Sequence, residues 1–163
     1  MTVQKITTFL WFDTQAEEAA NFYTSLFRNS EVTSVSRYPS EGEDVTGKPP
    51  GSVMTVTFRL DGQEFIALNG GPHFKFNEAI SLVVNCETQE EIDELWGKLT
   101  EGGAEVQCGW LKDKYGLSWQ IVPPVLSEML QDGDREKAGR VMKAMLQMKK
   151  IDIRTLRQAY EQG

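Results

Sequence analysis

Alternation of apolar and polar residues marks the strands of this chain, and a helical period marks the segments between them. Met54, Val56, Phe58 and Leu60 alternate with Thr55, Thr57 and Arg59, the period-two signature of a half-buried strand. Asp61-Gly62 follows and suits a two-residue turn, so residues 52–60 and 63–69 are predicted to form a hairpin. Further strand-like runs cover 6–12, 31–38, 80–85, 104–107, 109–112 and 117–122, the last ended by Pro123-Pro124, which cannot continue a ladder. Between them, Ala16, Ala19, Ala20, Tyr23, Leu26 and Phe27 fall on one helical face. Ile92, Leu95, Trp96 and Leu99 do the same further on.

These elements repeat. The run 6–12 leads into Asp13-Thr14-Gln15-Ala16-Glu17, and the run 80–85 leads into Glu87-Thr88-Gln89-Glu90-Glu91. In each, a threonine precedes a glutamate by three positions, the spacing of a capping box at a helix start. Each half then reads strand, helix, strand, strand, strand. Residues 39–51, of which six are glycine or proline and three acidic, predict a mobile loop, open at this point to two readings: a long connection or a lid over a pocket.

From Asp134 onward the pattern turns helical. Ala138, Val141, Met142, Met145 and Leu146 share one face, and Asp152 caps a second helix with Ile153, Leu156 and Tyr160. The segment 134–163 carries eight basic and four acidic side chains, whereas the whole chain of 163 residues has a net charge of −7. Such an acidic chain has no general attraction for nucleic acid or anionic lipid. No apolar stretch is long enough to span a membrane, and the N-terminus shows no secretory pattern, which predicts a cytoplasmic protein. In that compartment Cys86 and Cys108 are expected as reduced thiols.

The repeated unit resembles the vicinal oxygen chelate superfamily, the fold of glyoxalase I, bleomycin-resistance proteins and extradiol dioxygenases. Within it the chain is similar to the PhnB-like branch labelled 3-demethylubiquinone-9 3-methyltransferase. The likeness is carried by FLWFDTQAEEAANFYTSLF at 9–27, ALNGGPHFKFNEAISLVV at 67–84, GWLKDKYGLSWQIVP at 109–123 and VMKAMLQMKKIDI at 141–153. It implies an α+β fold of two βαβββ modules, 1–72 and 73–124, forming a cupped mixed sheet within a domain of residues 1–133. The C-terminal helices, 134–163, are then expected to pack on that domain or on a partner subunit. The resemblance also implies a homodimer, which exposed sheet edges and the methionine stripe would favour.

Superfamily enzymes hold a metal in the cup with His, Gln or Glu from the first and fourth strands of each module. Here those positions offer Phe9 and Trp11, Asn69, Ser81 and Val83, and Gln120. This donor set predicts no bound metal. No G-x-G turn occurs for a nucleoside cofactor, so no cofactor is expected. The expected function is binding of a small, largely apolar or aromatic molecule, with Trp11, Asn69, His73, Trp110, Trp119 and Gln120 as the ligand-binding residues. Three tryptophans can stack a flat ligand, with Asn69, His73 and Gln120 as polar anchors. The alternative is an enzyme, of the methyltransferase label or of lyase or isomerase type, using His73 as catalytic acid or base. His73 is the chain's single histidine. Cys108 has no base beside it in sequence and reads as a small core residue.

Overall fold

The computed structural model describes residues 3–162, and the chain divides into two compact units, Met1–Lys75 and Phe76–Gly163. In the first, β1 (Thr8–Phe12) is followed by α1 (Ala16–Leu26), β2 (Glu31–Arg37), a short helix α2 (Glu43–Thr46), β3 (Val53–Leu60) and β4 (Gln63–Asn69). The sheet order is β1-β4-β3-β2. β1 runs parallel to β4, while β3 is antiparallel to both β4 and β2. Asp61 and Gly62, with φ of 50° and 81°, make the tight hairpin turn that the strand twist requires. The four-residue helix α2 is an addition to the expected glycine- and proline-rich loop; Gly42 and Gly47, both left-handed, bracket it.

Register decides which side chains form the core. Leu10 and Phe12 stand opposite Ala67 and Asn69, and Phe58 stands opposite Phe65, so all six share one face. Helix α1 covers that face with Ala16, Ala19, Ala20 and Tyr23, all fully buried. The Tyr23 ring lies 6.3 Å from that of Phe58, which stacks on Phe65 at 5.6 Å. Each large side chain so buried contributes roughly 1.5–3 kcal/mol.

The second unit repeats the plan with β5 (Ser81–Asn85), α3 (Gln89–Thr100), β6 (Ala104–Glu105), β7 (Trp110–Lys112) and β8 (Ser118–Val122) in the order β5-β8-β7-β6. Again the first and last strands pair in parallel. Leu111, Trp119 and Ile121 form the covered face, under Ile92, Leu95, Trp96 and Leu99 of α3. The Thr88 hydroxyl caps α3 by accepting from the Glu91 amide at 3.2 Å, and the Glu91 carboxylate reaches back to the Glu87 amide at 3.0 Å. The matching box expected at Thr14 does not form. Helix α1 has no side-chain cap from its own N-terminus; instead Asn69 Oδ1, on a neighbouring strand, accepts from the Ala16 amide at 2.8 Å.

Three helices close the unit: α4 (Pro124–Leu130), α5 (Arg135–Leu146) and α6 (Ile153–Glu161). Helix α4 is absent from the sequence reading because Pro123-Pro124 reads as the end of a strand; proline at the first helical position equally begins a helix. Asp152 caps α6 as the sequence foretells, and Asp134 caps α5 in the same way. Leu126, Met129, Val141, Ile151 and Leu156 bury together, with Met145, Met148 and Tyr160 against them. Met142 and Leu146, by contrast, are exposed. The Arg140 guanidinium donates to the carbonyls of Ala159 and Tyr160, satisfying the open end of α6. The connector between α5 and α6 is tied to the β-unit itself. Cys108 and Gly109 amides donate to the carbonyls of Met148 and Lys149. The Gln89 side chain donates to Ile151 and accepts from Ile153 at 2.9 and 2.8 Å. The helical tail thus packs on its own chain. Among the described residues no helix is long and apolar enough to cross a membrane.

Both cysteines are free. Cys86 is buried, and burial, reinforced by the nearby Glu91 carboxylate, pushes its thiol up to about 12. It is a neutral core group at physiological pH. Cys108 is half-buried with a left-handed φ of 58°, at the turn that joins the tail.

Candidate functional site

In each sheet one face is under its helix and the other is not, and alternation sorts the candidate residues between them. On β1, Trp11 points away from α1 and stands opposite Leu68 of β4, with Phe9 opposite Ile66. Thr55 and Thr57 of β3 continue that face beside Leu68 and Ile66. The chain leaving β4 turns back over Trp11: its indole N–H donates to the Gly71 carbonyl at 2.9 Å. A Cβ at Gly70 would lie 2.3 Å from the indole ring, so only glycine fits between strand and ring. Phe74 meets the indole edge-on at 4.9 Å, and His73 does so at 6.5 Å. Trp11 and His73 are therefore neighbours in the first unit. Tyr38, at the entrance to the 39–51 loop, donates its hydroxyl to the Asn69 carbonyl at 2.6 Å.

Asn69 does not belong to that constellation. It lies on the helix side with Phe12, 8% exposed. Its Oδ1 caps α1 and its Nδ2 donates to the Val53 carbonyl at 3.2 Å. Both ends of the amide are thus spent on backbone, and the expected ligand anchor is a structural residue.

In the second unit, Gln120 and Trp110 are cross-strand partners on the face that α3 leaves open. The Gln120 amide donates to Ser81 Oγ at 2.9 Å. Ser118 lies on the same face, and its hydroxyl, although buried, has no hydrogen-bond partner among the described residues. Trp119 is elsewhere. Adjacent residues of a strand face opposite ways, so Trp119 is in the α3 core, 1% exposed. Its indole N–H donates to Asp113 Oδ2 at 2.9 Å. Asp113, itself 2% exposed, also accepts from the Tyr115 and Leu117 amides at 2.8 and 3.1 Å. This buried carboxylate organises the turn before β8; the only hint of it in the sequence is the Asp113-x-x-Gly116 spacing.

The residues at the superfamily's ligand positions do not fit a divalent metal. Asn69 is turned to the helix, Gln120 is paired with Ser81, and no three His, Cys, Asp or Glu side chains stand close enough to share an ion among the described residues. Nor do the paired glycines fit a nucleoside cradle. Gly70 is filled by Trp11, and a Cβ at Gly103 would lie 2.1 Å from the Lys112 carbonyl oxygen. A polar groove of about 490 Å³ lies where α6 meets the start of α3, between Gln89, Arg154 and Arg157. It contains none of the residues expected to bind.

Comparison with known proteins places this geometry in a family. Residues 4–122 match the family model described as 3-demethylubiquinone-9 3-methyltransferase. A PhnB protein of Bacillus cereus carrying that same description is 47% identical over 73% of this chain and 99% of its own, with a TM-score of 0.65. A genomically encoded fosfomycin resistance protein of Listeria monocytogenes, 15% identical, shares the fold over 81% of this chain and all of its own, with a TM-score of 0.51. A Pseudomonas aeruginosa protein, 16% identical over 74% of this chain and 98% of its own, reaches a TM-score of 0.58. No curated protein matches the chain. With its duplicated β-α-β-β-β units and this match over most of its length, the chain belongs to the 3-demethylubiquinone-9 3-methyltransferase-like, or PhnB, family.

Proposed function

We propose that the protein binds a small, largely apolar or aromatic molecule, without a metal, against the helix-free faces of its sheets. One observation carries this reading. Of the chain's four tryptophans, Trp96 and Trp119 are buried with the helix-covered cores, whereas Trp11 and Trp110 stand half-buried on the faces no helix covers. An indole left on an open sheet face, beside hydroxyls and one amide, offers stacking area with a few polar anchors. Calorimetric titration with a panel of monocyclic and bicyclic aromatic compounds tests it. Trp11→Phe or Trp110→Phe should weaken the best binder severalfold, as loss of about 0.5–1.5 kcal/mol of aromatic contact implies. Unchanged affinity in both variants would refute the reading.

A second reading, catalysis by His73, is favoured by the position of that imidazole beside Trp11, where a general acid or base would meet a molecule lying on the indole. It would show as conversion of the bound compound instead of reversible binding.

We further propose a homodimer in the cytoplasm. Its support is the apolar residues left on edge strands: Phe9 of β1 is 54% exposed and Val83 of β5 is 52% exposed, and unpaired edges favour association. Sedimentation equilibrium at micromolar concentration should return twice the 18.4 kDa chain mass; a monomer would refute the dimer.

A further inference from the structure

We infer that the molecule held on the first unit's open face carries an oxyanion, a carboxylate or a phosphonate, received between Lys48 and His73. The inference rests on the binding reading above and adds the chemical class of its ligand. Its basis is a convergence around Gly71. A methyl group at this left-handed residue would stand 3.7 Å from His73 Nε2 and 3.7 Å from Lys48 Nζ, so the two nitrogens approach one α-carbon from two separate segments. Lys48 comes from the 39–51 loop, in which it alone is half-buried; Glu41, Glu43 and Asp44 of the same loop are exposed. Among the described residues Lys48 makes no ion pair, in a chain with 24 acidic against 17 basic residues. An ammonium drawn in beside an imidazole, with no carboxylate between them, is an arrangement that an anion relieves.

The donors suit an oxyanion. Lysine presents three N–H groups and histidine one or two, and hydrogen bonds to a charged oxygen are stronger than neutral ones. The gap between the nitrogens, at most the sum of the two distances above, is one that two oxygens of a single group can bridge. Beside it, Trp11 and Phe74, in edge contact at 4.9 Å, supply the apolar wall for the rest of the molecule. Gly71 is also held in place, its carbonyl accepting the Trp11 indole N–H, so the aromatic wall and the cationic pair are parts of one structure.

Three probes that share a phenyl ring separate the possibilities: phenylacetate, phenylphosphonate and the neutral phenylacetamide. Calorimetry at low salt should find at least one acid bound about tenfold tighter than the amide, the scale of one charge-assisted hydrogen bond. Whichever acid is preferred identifies the oxyanion. Lys48→Met should abolish that preference, and Lys48→Arg should keep most of it. Because His73 is the single histidine, its ring resonances report directly, and they should shift with the acid and not with the amide. If the amide binds as tightly as both acids, or if Lys48→Met keeps the preference, the oxyanion assignment fails and the binding reading stands. If all three probes and the aromatic panel are silent, both fail.

Discussion

Replacing Asp113 by alanine is expected to destabilise the protein by about 3–5 kcal/mol, lowering its melting temperature by roughly 10 °C. Three donors turn on this carboxylate: the part-buried amide of Tyr115, the buried amide of Leu117 and the buried indole N–H of Trp119. Removing it takes from each the acceptor it has here, at about 1–3 kcal/mol apiece where water cannot enter. The turn also suffers. Gly116, at φ 88°, donates to the Asp113 carbonyl, and the Asp113 amide donates to Leu117; the side chain holds this loop in the shape that starts β8. Asp113→Asn should cost less than alanine. Its Oδ1 can still accept from both amides, but its NH₂ would face the Trp119 N–H, donor against donor. Trp119→Phe should therefore be less harmful when combined with Asp113→Asn than in the parent, a coupling that a double-mutant cycle by chemical denaturation resolves. An alanine variant that loses under about 1 kcal/mol would show that this carboxylate is not the centre of the turn.

Much of the fold could be read directly from side-chain order, because it is written in short-range alternation. The hairpin of β3 and β4 follows from Met54 to Leu60 and the Asp61-Gly62 turn, and the strand ends deviate only where terminal residues fall outside the ladder. The caps of α3, α5 and α6 are equally local, a threonine or aspartate accepting from amides two or three residues on. What was not legible came from distance. Lys48 approaches His73 only because a long loop and a connector meet at Gly71, and nothing in either segment announces the other. The division of the candidate site residues between two faces has a simpler cause. Trp119 and Gln120 are adjacent in one strand, so the pleat sends them to opposite faces. Phe65, Ala67 and Asn69 share a parity that assigns Asn69 to the core with its neighbours. That signal was present in the sequence; a polar residue at a core parity is a buried bond-former before it is a ligand contact.

Asn69→Ala is the second large effect, expected at about 2–3 kcal/mol. The loss is the sum of two bonds with different functions. Oδ1 satisfies the first amide of α1, and losing a cap costs about 1 kcal/mol, up to about 2 in some proteins. Nδ2 donates to the Val53 carbonyl at the start of β3, a partly buried bond that alanine would remove. Asn69→Asp separates these functions. A carboxylate keeps an acceptor at a helix N-terminus, where negative charge is favoured, but it presents a second oxygen to the Val53 carbonyl, so its cost should fall between zero and that of alanine. Two threonines serve as internal standards. Thr88→Ala removes a real cap and should cost about 1 kcal/mol, whereas Thr14→Ala removes an exposed hydroxyl with no capping bond and should stay within about 0.5 kcal/mol of the parent. The ranking Asn69, Thr88, Thr14, read from urea denaturation midpoints, is the result to look for. If Thr14→Ala proves as costly as Asn69→Ala, the start of α1 is held by its own residues and not by the strand beside it.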